Sequence, residues 1–181
     1  MTPVERGSRV QIRLASPDEY AVVGDLTVEA YTADGYLEES DDYADHLRDA
    51  TSRAVDAELW VAADDSGVLG SVTYCPPGSR WCELATEPEQ GEFRMLAVAP
   101  AARRAGVGRA LVELCIARSR TLGHRELVMC SLEEMTAAHR LYGRLGFVRA
   151  PELDWKPVPG IVLLGFRLPI LNRVDSGTDP G

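Results

Sequence analysis

Between Leu96 and Ser119 the chain reads Leu-Ala-Val-Ala-Pro-Ala-Ala-Arg-Arg-Ala-Gly-Val-Gly-Arg-Ala-Leu-Val-Glu-Leu-Cys-Ile-Ala-Arg-Ser, and this stretch leaves little freedom in how it folds. The residues before Pro100 are apolar and suit a buried strand, whereas Leu111, Leu114, Cys115 and Arg118 recur at the three- and four-residue spacing of one helix face. A short basic loop joins the two. Gly106 and Gly108 let backbone approach a ligand with no side chain in the way, and a helix starting here turns unpaired N–H groups and its positive dipole end toward an anion. Arg103, Arg104 and Arg109 add charge at the same spot. The stretch therefore predicts strand, loop and helix with a phosphate or pyrophosphate site at the turn. It lacks the Gly-x-x-x-x-Gly-Lys of a P-loop, and its glycines are too few for the dinucleotide fingerprint.

The other elements follow from local signals. Val10 to Leu14 reads as a first strand, and Ser16-Pro17-Asp18-Glu19 supplies a cap, a first-turn proline and a capping-box partner for a helix reaching about Tyr31. Gly35 breaks it. The acidic, aromatic segment Tyr36 to Tyr43 then leads into one helix ending near Val55. Tyr31, Tyr36, Asp41, Asp42 and Tyr43 make either a wall that suits a cationic substrate or an ordinary solvated helix entry. Glu58 to Ala63 and Val68 to Tyr74 form a hairpin across Asp64-Asp65-Ser66-Gly67, stopped by Pro76-Pro77-Gly78. The polar segment up to Gly91, with Trp81 and Glu83, is long enough to flank a substrate entrance. Glu92 to Val98 is a central strand. After the helix ending near Gly123 come a strand at Glu126 to Cys130, a helix at Met135 to Leu145 closed by Gly146, and a final strand at Ile161 to Leu168. This order predicts an α/β or α+β mixed sheet. Residues 1 to 171 are expected to form one domain and residues 172 to 181 a frayed tail.

Composition excludes several classes. A formal charge of −9 argues against nucleic acid, whose phosphates need a basic surface. No apolar run approaches the roughly 20 residues that span a bilayer, and Met1 to Arg9 has no signal-peptide core, so the expectation is a cytoplasmic protein without a membrane partner. Cys75, Cys82, Cys115 and Cys130 show no C-x-x-C pair or metal spacing, so reduced thiols and no metal are expected.

The second half of the chain makes a family resemblance specific. Arg103-x-x-Gly106-x-Gly108 after Leu96-x-Val98 resembles the acyl-CoA loop of the GCN5-related N-acetyltransferases, and Ala138-x-x-x-Tyr142-x-x-Leu145-Gly146-Phe147 is similar to the closing motif of that family, about thirty residues further on. The resemblance implies a mostly antiparallel sheet whose central parallel strand pair splays, flanked by helices, in a bacterial acetyltransferase using acetyl-CoA without a metal.

Position by position, the resemblance implies that Leu96, Ala97 and Val98 hold the pantetheine arm and that Arg103, Arg104, Ala105, Gly106, Val107, Gly108 and Arg109 hold the pyrophosphate. It gives Tyr142 the role of general acid toward the departing thiolate and Glu92 that of general base, with Glu83, His139 and Cys130 as lesser candidates and His139 turned to solvent. Glu92 reads equally as a surface carboxylate paired with Arg94. Tyr31, Tyr36, Asp154 and Trp155 are the candidate acceptor contacts. Met135 stands where the family commonly has Asn, and a thioether accepts weakly and donates nothing. The implied reaction is direct transfer of acetyl to an amine of a small molecule or peptide. The other readings are a non-catalytic acyl-CoA sensor and an enzyme acting on protein N-termini or lysines. The resemblance also brings in a homodimer, with Ile161 to Leu168 as the strand that would pair across it.

Overall fold

A computed structural model describes residues 9–36, 42–157 and 161–171. Asp41 and the 172–181 segment lie outside these. Among the described residues seven strands form one sheet: β1 (Gln11–Leu14), β2 (Glu58–Asp64), β3 (Gly67–Cys75), β4 (Gln90–Val98), β5 (Glu126–Leu132), β6 (Val148–Arg149) and β7 (Leu163–Pro169). Their order is β1-β2-β3-β4-β5-β7-β6, antiparallel throughout except for the β4–β5 pair. The helices are α1 (Tyr20–Ala33), α2 (Asp42–Arg48), α3 (Ala50–Asp56), α4 (Val107–Thr121) and α5 (Thr136–Arg144). Among the described residues no helix is long and apolar enough to cross a membrane.

Strand alternation sends side chains to two separate cores. On one face Ala62, Val72, Phe93, Leu127 and Phe166 meet Val107, Leu111 and Cys115 of α4 and Tyr142 of α5. On the other, Leu59 and Val61 meet Val23 of α1 and Ala50 of α3, and Cys75 and Met95 meet Val28 of α1 and Leu47 of α2. Fully burying a side chain such as Leu111 or Leu47 contributes about 1.5–3 kcal/mol. The parallel pair needs a crossover, and α4 supplies it.

Several expectations are corrected. The helix expected to run to Val55 is two helices, because the Asp49 carboxylate accepts the Ser52 N–H at 3.0 Å and caps a new start. The final strand is not a free edge. β7 is paired by β5 along its whole length and by β6 at Val148 and Arg149, a two-residue strand with no sequence signal of its own. Trp155 extends that cover through an isolated bridge to Leu163.

Beneath α4 the Tyr74 hydroxyl lies 3.0 Å from Ser119 Oγ and 2.9 Å from His124 Nδ1. Gly91 makes room for this trio, since a Cβ there would stand 2.5 Å from the Tyr74 hydroxyl. Burial, and then the Arg118 charge, hold the His124 imidazole below its ordinary pKa. The unfolded chain thus takes up a proton that the folded chain resists. His124 gives its full stabilisation above an unfolded pKa of about 6.5, and that stabilisation is lost as pH falls through the lower folded value. The urea midpoint is expected to drop between about pH 7 and pH 5, and His124→Gln to remove part of that drop. An identical pH profile in the variant would show that the trio carries no such coupling.

Candidate functional site

Strands β4 and β5 pair only at Gln90–Glu126, Gly91–Leu127 and Glu92–Val128. Met95, at φ 52°, marks a bulge where the β3 register slips, Thr73 facing Arg94 while Ser71 faces Ala97. A bulge bends the strand that carries it. From Phe93 onward β4 keeps β3 on one side, and its other edge faces a cleft with no ladder partner. This open edge includes Leu96, Ala97 and Val98.

The cleft leads at one end to the start of α4. Arg104 at φ 65° and Gly106 at φ 83° turn the chain sharply into the helix, whose first closed bond runs from the Ala110 N–H to the Gly106 carbonyl at 3.0 Å. The amides of Val107, Gly108 and Arg109 precede that bond and point out of the helix end. They border a cavity of about 600 Å³ lined also by Leu96, Val98, Arg103, Arg104 and Tyr31. The arginines differ. Arg103 pairs with Asp34 at 2.6 Å and donates to the Ala30 carbonyl at 3.2 Å, so it fastens the loop to the end of α1. Arg109 pairs with Glu113 at 2.8 Å. Arg104 makes no ion pair with a described residue, and Ala105 stays outside the lining.

At the other end a second cavity of about 410 Å³ opens between the splayed strands. Leu96, Tyr31, Tyr36, Met135 and Ala138 border both cavities. Tyr142 projects from α5 into the second one, its ring held edge to face by Phe93 at 6.0 Å and flanked by Phe147 and Phe166. Its hydroxyl has no hydrogen-bond partner among the described residues. Burial, and then the neighbouring Tyr31, push the phenol well above its ordinary pKa. It is therefore a proton donor across the neutral range and a poor base.

Trp155 also lines this cavity, its Nε1 donating to Cys130 Sγ at 3.4 Å, and burial raises that thiol to about 11. Asp154 does not line it. Its carboxylate accepts two bonds from Arg149 at 2.9 Å and the Gly165 N–H at 2.7 Å, which fastens the chain after α5 to β7. His139 is not turned to solvent either: its ring packs 5.0 Å from Phe166, with Nε2 buried.

Glu92 is fully buried and borders neither cavity. Its Oε2 accepts the N–H groups of Glu83, Leu84 and Ala85 at 2.8–3.0 Å. Burial raises its pKa, against the lowering effect of those three bonds and of Arg94, whose Nε lies 3.9 Å from Oε1. Neither the solvated ion pair nor the accessible base fits this placement. Glu92 instead fixes the loop that presents Glu83.

Glu83 does line the cavity, paired at 2.7 Å with Arg94, which also donates to the Trp81 carbonyl at 3.0 Å. Tyr43, one of the residues named as a possible substrate wall, lines it too, and Arg94 and His46 are lining residues that sequence reasoning did not single out as such. The available signal for Arg94 was a charge two residues from Leu96 on a strand already marked as central.

Comparison with known proteins follows the same lines. The family model described as Acetyltransferase (GNAT) family matches residues 23–147. A mycothiol acetyltransferase of Cellulomonas flavigena is 34% identical over 145 residues, which is 75% of this chain and 41% of that protein. One from Geodermatophilus obscurus is 35% identical over 113 residues, 61% of this chain and 35% of its own length. The chain thus spans less than half the length of these curated relatives. Among solved structures, YncA from Salmonella typhimurium with its cofactor acetyl-CoA superposes with a TM-score of 0.65 at 21% identity, over 95% of this chain and 98% of that one, a likeness of fold.

Proposed function

The chain belongs to the GNAT acetyltransferase family, and from that membership we propose that it transfers acetyl from acetyl-CoA directly to a primary amine. The observation that carries the reading is the meeting of two unlike cavities at Leu96 and Met135, one ringed by helix-end amides and Arg104, the other enclosing Tyr142.

The site fits acetyl-CoA in three respects. The unpaired edge of β4 at Leu96 to Val98 offers backbone groups to an amide-bearing pantetheine arm. The amides of Val107 to Arg109 and the Arg104 guanidinium suit a pyrophosphate. The Salmonella relative of the same fold holds this molecule. Acetyl-CoA supplies an acyl group already activated as a thioester. Met135 has no donor to offer either substrate and its sulfur, a weak acceptor, takes the Ser131 hydroxyl at 3.4 Å, so in this reading the backbone carries that task.

Within this reading Glu83 accepts the ammonium of the incoming amine and takes its proton. The neutral nitrogen attacks the thioester carbon, while a free backbone N–H of β4 polarises the carbonyl oxygen. Tyr142 then donates its proton to the departing sulfur, so the products are an amide and a free thiol. As the amide forms, the nitrogen gives up its second proton, which replaces the one the phenol has lost, and the proton left on Glu83 leaves to solvent, so that amide, thiol and one proton are the net products.

Calorimetry with acetyl-CoA tests the reading. Micromolar affinity, about −8 kcal/mol, is expected, and Arg104→Glu is expected to weaken it by about tenfold or more through loss of a charge-assisted contact. Absence of binding to the parent protein would overturn the reading. Binding unaffected by Arg104→Glu would remove the loop from it.

A further inference from the structure

The acceptor side of the site carries a chemical signature of its own. Its walls are the rings of Tyr31, Tyr43 and Trp155 and the thioethers of Met95, Met129 and Met135. Apart from the tyrosine hydroxyls, the polar side chains are few and mostly engaged: Ser131 donates to Met135, Trp155 to Cys130, and Arg94 to Glu83 and the Trp81 carbonyl. His46 sits between Tyr43 and Trp81, with ring centroids 5.4 and 4.9 Å away, and burial keeps it below its ordinary pKa, so it is neutral at working pH. Among the described residues only Glu83 and Arg94 bring charge to the lining, and the carboxylate is the more open of the two, 30% exposed against 10% for Arg94.

We propose that the acceptor is a small primary amine borne on an aromatic or otherwise apolar body, seated among these rings and thioethers with its ammonium on Glu83. The inference rests on the acetyl-transfer reading and narrows it. A volume of about 410 Å³ lies at the small end of ligand pockets and suits a molecule of a few rings better than a peptide chain. A sugar or polyamine body would bring several hydroxyl or ammonium groups against walls whose open polar partners are a few tyrosine hydroxyls, and burying the remaining groups unpaired is costly. An apolar body loses nothing by the same transfer. Its single ammonium meets a carboxylate beside aromatic faces, both of which attract it.

The experiment measures thiol release at saturating acetyl-CoA over phenethylamine, tryptamine, butylamine, spermidine, glucosamine and a short unblocked peptide. The kcat/KM of the two aromatic amines is expected to exceed that of spermidine, glucosamine and the peptide by about a hundredfold. Trp155→Ala is expected to cut the preference for tryptamine over butylamine by about tenfold, a ratio that general loss of folded enzyme does not move. Glu83→Gln is expected to lower kcat and raise KM for both amines and to leave the ratio of their kcat/KM values unchanged.

Equal or faster turnover of the hydrophilic amines or the peptide overturns the inference. So does turnover of none of the amines by protein that binds acetyl-CoA, or an unchanged ratio in Trp155→Ala. Failure to bind acetyl-CoA, by contrast, overturns the acetyl-transfer reading itself.

Discussion

Replacing Tyr142 with Phe is expected to lower kcat by about a hundredfold to a thousandfold while KM for both substrates stays within about twofold. The ring is held by Phe93, Phe147 and Phe166 at 5.8–6.0 Å, and Phe keeps every one of those contacts. The lost hydroxyl has no described hydrogen-bond partner, so its removal from a buried position leaves no orphaned group and the variant stays folded. In the proposed reaction its task is toward the departing sulfur. Because burial holds the phenol protonated far above neutral pH, deprotonation of Tyr142 adds no fall in rate on the mildly alkaline side. Parallel measurement of the melting temperature and of steady-state thiol release decides the matter. Turnover within about twofold of the parent would remove Tyr142 as the acid.

How far such a site can be read without coordinates depends on how local its physics is. The turn from Leu96 into α4 was legible because each part of it, an apolar strand, a glycine with positive φ and a helix face, is written within two dozen consecutive residues. Gly106 at φ 83° and Gly146 at φ 95° sit where the residue type demands. The splay was reached only through a family resemblance, since it arises from the bulge at Met95 and the loss of pairing beyond Glu92, which depend on β3 and β5 together.

Long-range partners were invisible for the same reason. Asp154 looks like an acceptor contact until Arg149 and the Gly165 amide are found on its carboxylate. The Ile161–Leu168 segment looks like an exposed edge until β5 and β6 are found on either side. Glu92 shows the limit most sharply. A carboxylate opening a strand reads as accessible, and nothing near it in sequence announces three convergent amides from the loop before it.

That placement makes Glu92 a residue whose truncation should cost the fold heavily. In Glu92→Ala the N–H groups of Glu83, Leu84 and Ala85 lose their common acceptor inside the protein, and Arg94 loses one of its two carboxylates. Breaking a buried charged arrangement of this kind costs about 3–5 kcal/mol, which for a chain of this size lowers the melting temperature by on the order of 10 °C. Glu92→Gln keeps an oxygen for the three amides and turns its new N–H₂ toward the unpaired Oε1 position beside Arg94, so its loss should be smaller, about 1–2 kcal/mol.

The pair of variants separates anchoring from catalysis. If Glu92 anchors the loop, Glu92→Gln retains turnover within about threefold, and the partly loosened loop raises KM for the amine, through Glu83, without weakening acetyl-CoA on the far side of the cleft. If Glu92 were the base, Glu92→Gln would show the same modest loss of stability yet lose about a hundredfold or more in kcat. That outcome would return the base to Glu92 and require a path for its proton that crosses the loop at Glu83.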